Sequence, residues 1–180
     1  MLNLIKPSLR AGAVSVSLVL LLVAWVFAAQ EQELPGRVVA VTDGDTIKVL
    51  DASSTLHKVR LSGIDAPERS QPFGGASRKN LESMVAGQQV IVRSVKNDKY
   101  GRVLGSVWVQ PRDCPTCGKT LYVNHAQILA GMAWWYRYYA DEQSEEDRGR
   151  FESAEREAIA RKWGLWADSS PVPPWVWRRR

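Results

Sequence analysis

Apolar and polar residues alternate in short runs between residues 37 and 109, which predicts a set of β-strands. In residues 58–61, Val59 and Leu61 can enter a core while Lys58 and Arg60 point the other way, because successive side chains of a strand face opposite sides. The other runs are rich in β-branched residues, which favour strands. The predicted strands cover residues 37–41, 47–50, 58–61, 90–92 and 103–109.

Apolar residues at three- and four-residue spacing predict helices over residues 77–86, 123–132 and 144–163. Gly87 is a plausible stop for the first helix, and Asn124 a plausible cap for the second. Strands that come first, with helices interspersed or late, indicate an α+β fold built on a small closed barrel.

The first 29 residues have the pattern of an export signal. Lys6 and Arg10 are the only charged residues of this stretch, and residues 11–29 are uncharged and long enough to span a bilayer. A cleaved signal peptide and a retained membrane anchor both remain open. In either case the positive flank stays inside, so we expect a periplasmic, extracellular or membrane-anchored domain outside the cytoplasm.

These patterns divide the chain into four parts. We predict a signal or anchor at residues 1–29, a linker at 30–36, one folded domain at 37–168, and a tail rich in Pro, Trp and Arg at 169–180.

Charge narrows the range of partners only slightly. The formal net charge is +5 and the sequence pI is about 9.4. Without Lys6 and Arg10, 22 basic residues remain against 19 acidic ones. This weak basic bias is compatible with a polyanionic partner, and equally with basic residues spread over a solvated surface.

Acidic residues lie at the ends of two predicted strands. Asp45 precedes the strand at 47–50, and Asp65 follows the strand at 58–61. Two carboxylates, the Thr46 carbonyl and several waters would suit Ca²⁺, which takes oxygen ligands. An Asp-Gly pair alone is more often a simple turn, but the second acidic cluster favours a metal site.

Glu68 and two arginines complete the candidate chemistry. Glu68 follows a rigid proline in the loop after the strand that carries Arg60, where a carboxylate can act on an attacking water. Arg60 and Arg102 can grip phosphate oxygens and stabilise the charge of a transition state. Lys99 and Tyr100 would add phosphate contact and base stacking. For any single arginine, a surface ion pair is the simpler alternative.

Residues 36–167 resemble the staphylococcal (thermonuclease-type) nucleases, because a series of short motifs follows the family's order. The motifs are Asp-Gly-Asp-Thr at 43–46, Val-Arg-Leu at 59–61, Gly-Ile-Asp-Ala-Pro-Glu at 63–68, Asp-Lys-Tyr-Gly-Arg at 98–102, Val-Asn at 123–124, Ala-Gly-Met-Ala at 130–133 and Gly-Leu-Trp at 164–166. Each motif is weak alone, and their order and spacing together are specific.

The resemblance implies a five-stranded OB-fold β-barrel with three α-helices. It also implies a Ca²⁺-dependent phosphodiesterase of the endonuclease type that hydrolyses DNA and RNA and leaves 3′-phosphate ends. The positions carried over are Asp45, Asp65 and the Thr46 carbonyl for Ca²⁺, Glu68 for the water, Arg60 and Arg102 for the phosphate, and Lys99, Tyr100 and Tyr139 for the nucleotide.

Two departures from the family concern the substrate. The segment at 69–74 is short, so access to the site can differ. The family's later tyrosines are not cleanly matched by the aromatic run at 134–139, in which Tyr139 aligns best. Core packing is the alternative for this run, and we favour it for Trp134 and Trp135.

A third departure is the pair Cys114 and Cys117, the only cysteines of the chain. One pair cannot supply the four ligands of structural zinc, and a redox dithiol would need its first cysteine at a helix start. In an exported protein we expect a local disulfide.

The tail at 171–180 is the last segment with candidate chemistry. Its aromatic and basic residues can contact nucleic acid or an anionic membrane. We favour a simpler account, in which Trp175 and Trp177 pack back onto the barrel and the terminal arginines are solvated.

Two functions from different classes follow. The first is an exported Ca²⁺-dependent nuclease, monomeric, acting on DNA or RNA, tethered through residues 11–29 if the leader is retained, and without a protein partner. The second is a non-catalytic OB-fold module that binds single-stranded nucleic acid or a protein. Glu68 and Arg102 favour the nuclease, because a pure binder needs no carboxylate beside a metal pocket.

Overall fold

The computed structural model describes residues 32–180, apart from the side chains of residues 94 and 95. The predicted signal or anchor at residues 1–29 lies outside the described residues. No helix within residues 32–180 is both long and apolar enough to cross a membrane.

A mixed β-barrel forms the centre of the described unit. The strands are β1 (Gln32–Asp43), β2 (Thr46–Leu50), β3 (Leu56–Leu61), β4 (Ile64–Asp65), β5 (Gln89–Asn97), β6 (Val103–Val109), β7 (Leu121–Tyr122) and β8 (Trp134–Trp135). In the main sheet the order is β3-β2-β1-β5-β6-β7, and β3 also pairs with β6. That last pairing is parallel, joins Val59 to Val103, and closes a barrel of five strands. The predicted α+β fold is confirmed.

Helices lie around the barrel. They are α1 (Gly74–Val85), α2 (Val123–Leu129), α3 (Glu145–Ala160) and α4 (Pro174–Trp177), with 3-10 turns at Arg137–Glu142 and Gly164–Ala167. The three predicted helices are present. α1 begins earlier than predicted and α2 ends earlier, and α4 is an additional short helix with a proline in its first turn. Residues 32–36, the described part of the linker predicted at 30–36, pair with β5 as the first half of β1.

The barrel interior holds Val59 and Leu61, as the alternating pattern predicts. Fully buried side chains from the strands meet apolar side chains from the helices, and the largest of them are Ile47, Leu61, Ile64, Leu81, Ile128, Phe151 and Leu165. Ser144 caps α3 by accepting a hydrogen bond from the Asp147 N–H at 3.1 Å, as a serine before a helix often does.

Asn124 has a different role from the predicted helix cap. Tyr122 occupies the N-cap position of α2, and the Asn124 side chain is fully buried. Its amide accepts from the Val107 N–H at 3.0 Å and donates to the carbonyls of Ser62 at 2.9 Å and Gly105 at 3.2 Å. Asn124 therefore ties α2 to β6 and to the turn before β4.

Two glycines of the resemblance motifs form one close backbone contact. Gly131 and Gly164 have φ of 65° and 54°, and the Leu165 N–H donates to the Gly131 carbonyl at 2.9 Å. A Cβ on Gly164 would lie 2.2 Å from that carbonyl oxygen. Glycine is required here because of the positive φ and because of the close approach of the two backbones. The contact holds the segment after α3 against the loop that leads into β8.

The loop between β6 and β7 carries the disulfide Cys114–Cys117, as expected from the sequence. The Gln110 side chain donates to the Pro115 carbonyl at 2.7 Å and further fixes this loop.

Candidate active site

Asp45 lies in the tight turn between β1 and β2, and its carboxylate points inward. Its Oδ2 accepts the Ala66 N–H at 2.8 Å, and its Oδ1 accepts the Thr46 hydroxyl at 3.0 Å. The Asp45 N–H in turn donates to Asp43 Oδ1 at 3.1 Å. These bonds hold a carboxylate that is only 6% exposed.

The same turn is fixed from behind by helices α1 and α2. The Gln127 amide donates to the Gly44 carbonyl at 2.6 Å and accepts from Asn80 at 2.5 Å. A Cβ on Gly44 would lie 1.8 Å from the Ser77 hydroxyl. Gly44 is therefore required for the turn to approach α1, and the approach sets the position of Asp45.

Asp65 is held by the two-stranded sheet of β4 and β8, in which it is the partner of Trp134. Arg60, from β3, lies between the two aspartates. Its Nη2 donates to Asp65 Oδ1 at 2.8 Å, and its Nη1 forms an ion pair with Asp45 without hydrogen-bond geometry. The structure thus brings together two predicted metal ligands and one predicted phosphate-binding arginine.

A second guanidinium, that of Arg178 in the residue after α4, reaches the same acids. Its Nη2 donates to Asp65 Oδ2 at 2.7 Å, and its Nη1 donates to Glu68 Oε1 at 2.7 Å. Nη1 also lies 3.2 Å from Asp65 Oδ1. Glu68 is half exposed at the rim, in the loop that follows β4.

Burial and charge pull the pKa values of this cluster in different directions. Burial and the adjacent Asp45 charge raise the pKa of Asp43 to about 6. Burial also raises the pKa of Asp45, but the Arg60 charge and several hydrogen bonds outweigh it, so that this pKa lies below its ordinary value. For Asp65, burial outweighs the bonds from Arg178 and Arg60, and the pKa is raised. Hydrogen bonds to Asp65 and Glu68 raise the pKa of Arg178.

The donor set fits a hard cation by its chemistry, since Asp45 and Asp65 present carboxylate oxygens at one end of the barrel. Among the described side chains, no group of three or more Asp, Glu, His or Cys residues could hold a metal ion by itself. An ion there would take its remaining ligands from the Thr46 carbonyl, water and substrate oxygens. Thr46 itself is buried at the start of β2.

Arg102, Lys99 and Tyr100 form a separate cluster in the turn before β6. Asp98 organises this turn by accepting the backbone N–H groups of Tyr100 and Arg102, both at 2.9 Å, and the Arg102 Nε at 2.7 Å. The Tyr100 ring is 72% exposed, with the Lys99 ammonium 5.1 Å and the Arg102 guanidinium 5.5 Å from its centroid. In the described part of the chain, no ion pair or hydrogen bond joins this turn to the acidic cluster. The pairing of Val59 with Val103 places it beside β3.

Two tyrosines of the aromatic run, Tyr136 and Tyr139, are in contact, and Tyr139 is the one predicted from the resemblance. Burial raises the pKa of Tyr136, and the charge of Asp65 raises it further. Tyr139 lies in the 3-10 turn, is 46% exposed, and contacts the Tyr136 ring edge-on. Trp134 and Trp135 are buried, which confirms their predicted packing role.

The sequence favoured Tyr139 over Tyr136 within the aromatic run. It also predicted solvated terminal arginines, which is wrong for Arg178, because that side chain pairs with Asp65 and Glu68. Tyr136 lies two residues beyond Trp134. If the alternation of β8 continues to Tyr136, the two side chains share a side of the chain, and Trp134 is the partner of Asp65 in the small sheet. Arg178 carries no local signal, since it is one of three consecutive arginines and lies 110 residues from Glu68.

A closed five-stranded barrel with helices packed around it is consistent with an OB fold, a fold that often binds nucleic acids. The family model described as staphylococcal nuclease homologue matches residues 58–168. The chain belongs to the staphylococcal nuclease homologue family, and it is a nuclease.

Curated relatives match almost the whole chain. An uncharacterized endonuclease of Escherichia coli is 38% identical over 92% of this chain and 97% of its own length. A micrococcal nuclease of Shigella flexneri is 40% identical over 96% of this chain and 92% of its own. Protein ParB of Escherichia coli is 40% identical over 95% of this chain and 90% of its own.

Proposed function

We propose that this nuclease is a Ca²⁺-dependent endonuclease that cleaves DNA and RNA to 3′-phosphate ends outside the cytoplasm. The observation that carries the proposal is the cluster in which Arg60 bridges Asp45 and Asp65, with Glu68 at its rim. The names of the two nuclease relatives support endonucleolytic cleavage, and the uncharged stretch at 11–29 supports export.

Asp45 and Asp65, with the Thr46 carbonyl, would hold the ion. When bound, Ca²⁺ supplies positive charge that offsets the negative charge of the scissile phosphate. Because both carboxylates are nearly inaccessible to water, they are fixed before substrate arrives and need little rearrangement.

Glu68 takes a proton from the attacking water. Its loop is held by the Glu68 N–H, which donates to Gln71 Oε1 at 3.1 Å, while the carboxylate remains open to solvent. The water oxygen forms a bond to phosphorus, the P–O5′ bond breaks, and the leaving oxygen takes up a proton. The products are a 3′-phosphate and a 5′-hydroxyl.

Arg60 and Arg102 stabilise the charge that accumulates on the phosphate oxygens in the transition state. Arg60 is already beside the carboxylates, and Arg102 lies at the start of the strand next to β3. Lys99 and Tyr100 extend the contact, because an exposed ring flanked by two cations suits a nucleotide.

The test is cleavage by the full chain of single- and double-stranded DNA and RNA, with Ca²⁺ and with a chelator. We expect cleavage only with Ca²⁺, and products whose electrophoretic mobility changes after phosphatase treatment. Glu68→Gln should lower the rate about 100-fold or more, since it removes the proton acceptor. Glu152→Gln, at an exposed position of α3, should retain the wild-type rate. Cleavage that survives chelation, or a near-normal rate in Glu68→Gln, would contradict the proposal.

A further inference from the structure

The guanidinium of Arg178 contacts Asp65, a proposed ligand of the cation, and Glu68, the proposed base. It donates to both oxygens of Asp65, at 2.7 and 3.2 Å, and to one oxygen of Glu68 at 2.7 Å. Arg60 already takes Asp65 Oδ1 at 2.8 Å. Both Asp65 oxygens are therefore engaged by cationic side chains, and the carboxylate of the proposed base is engaged with them.

The tail that carries Arg178 is attached to the domain by contacts that do not involve its guanidinium. Pro174 is buried, and the Gln71 side chain donates to the Val172 carbonyl. The Trp175 ring stacks on Tyr136 with centroids 5.4 Å apart and meets the edge of Trp134 at 6.4 Å. These contacts hold α4 beside the acids without the ion pairs of Arg178.

The ion pairs of Arg178 are exposed to solvent on the arginine side. Its side chain is 42% exposed, whereas the Asp65 side chain is 1% exposed. A nearly buried carboxylate strongly favours a nearby positive charge, but an ion pair whose cation is exposed is screened by water and contributes little net stability. The buried Asp65 carboxylate therefore requires positive charge nearby. A divalent cation, with its higher charge, can replace the half-exposed guanidinium of Arg178.

The two terminal nitrogens of Arg178 are both engaged with the acids. A divalent cation and this guanidinium cannot occupy the same oxygens, because they would meet there as like charges.

We propose that Arg178 competes with the metal for Asp65, and that its guanidinium stays paired with Asp65 and Glu68 until Ca²⁺ displaces it. The inference rests on the proposed Ca²⁺ dependence. In this role α4 sets the Ca²⁺ concentration at which the enzyme becomes competent, and it neutralises the acids when the ion is scarce.

The test compares Ca²⁺ affinity by isothermal titration calorimetry in the full chain and in two variants. Arg178→Ala should lower the Kd about tenfold, because binding no longer requires two charge-assisted contacts to break. Arg179→Ala removes the same charge one residue away, at an exposed position with no contact to the acids. It should change the Kd less than about twofold, since exposed charges are screened.

A second measurement follows the side chain directly. Nuclear magnetic resonance of ¹⁵N-labelled guanidinium groups should show Arg178 with restrained rotation in the absence of Ca²⁺ and free rotation at saturation. The Arg179 signal should not change. An Arg178 signal that stays restrained at saturating Ca²⁺ would overturn the competition.

The outcomes separate this inference from the proposed function. Equal Ca²⁺ affinity in the wild type, Arg178→Ala and Arg179→Ala would overturn the role of Arg178 and leave Ca²⁺ dependence intact. Absence of Ca²⁺ binding in all three proteins would overturn the proposed Ca²⁺ dependence, and the competition with it. Ca²⁺ binding that is tighter in Arg178→Ala than in the wild type and Arg179→Ala supports both the Ca²⁺ dependence and the competition.

Discussion

At the scale of single residues, Arg60 has a structural role as well as its proposed role in phosphate binding. It is 14% exposed and forms ion pairs with two nearly buried carboxylates, those of Asp45 and Asp65. Removal of one partner from such a buried set is costly because the remaining charges lose their partner but not their burial. Arg60 therefore stabilises the fold, in addition to its proposed contact with phosphate.

We expect Arg60→Ala to lower the free energy of unfolding by about 3 kcal/mol, because it leaves Asp45 and Asp65 without the charge between them. Ca²⁺ should recover part of the loss, so the Ca²⁺-induced rise in Tm should be larger in the variant than in the wild type. Urea unfolding with and without Ca²⁺ measures both effects. Lys58→Ala, at an exposed position two residues earlier on β3, should change stability by less than about 0.5 kcal/mol. A loss below about 1 kcal/mol in Arg60→Ala would show that the acids do not depend on it.

At the scale of elements, the site is positioned by contacts between segments far apart in the chain. The Gly131–Gly164 contact holds the end of α3 against the loop before β8, and β8 pairs with the strand that carries Asp65. Both glycines belong to short motifs shared with the family, and the structure gives a physical reason for each. Neither touches the acids.

Gly164→Ala should lower the free energy of unfolding by about 2 kcal/mol or more, because alanine disfavours φ of 54° and its Cβ would meet the Gly131 carbonyl oxygen at 2.2 Å. Gly149→Ala is the matched control. Gly149 lies inside α3. Apart from its chain neighbours and the backbone of its own helix, no heavy atom of the described residues lies within 4 Å of the place that an alanine methyl would take. Alanine there should raise stability by about 0.5–1 kcal/mol, because it favours the helix more than glycine does. Circular dichroism during urea unfolding measures both changes, and the same sign for both substitutions would contradict this account.

At the scale of the whole molecule, the barrel, the helices and the tail belong to one compact unit of residues 32–180. Tyr136 lies between Trp175 of α4, at 5.4 Å, and Tyr138 of the 3-10 turn, at 6.0 Å, and both rings are stacked on it. Aromatic contacts of this kind contribute beyond the area they bury. The tail is therefore part of the folded unit and not an appendage to it.

Trp175→Ala should lower the free energy of unfolding of the whole unit by about 2 kcal/mol, since it removes the stack on Tyr136 and the edge contact with Trp134. Unfolding should remain a single transition at a lower urea midpoint. Val176→Ala, at the exposed neighbouring position, should leave the midpoint unchanged. A separate early transition in the wild type would mean that the tail unfolds independently.

Local patterns predicted much of this unit because they act over a few residues. Alternation placed Val59 and Leu61 inside and Arg60 on the other face of β3, and motif spacing placed Asp45 and Asp65 at strand ends. The parallel pairing of β3 with β6 and the approach of Arg178 to Glu68 depend on closure of the whole fold, which no local pattern encodes. Asn124 was assigned to a cap because asparagine favours helix starts, but its burial against β6 determined its partners instead.

The pairing of β3 with β6 also governs when the enzyme acquires its chemistry. Asp45, Arg60 and Asp65 are all translated before residues 103–109, and the barrel that buries them closes only when β6 joins β3. Until residues 103–109 have been synthesised, these side chains belong to an open sheet. Assembly of the buried cluster therefore waits for closure of the barrel by β6.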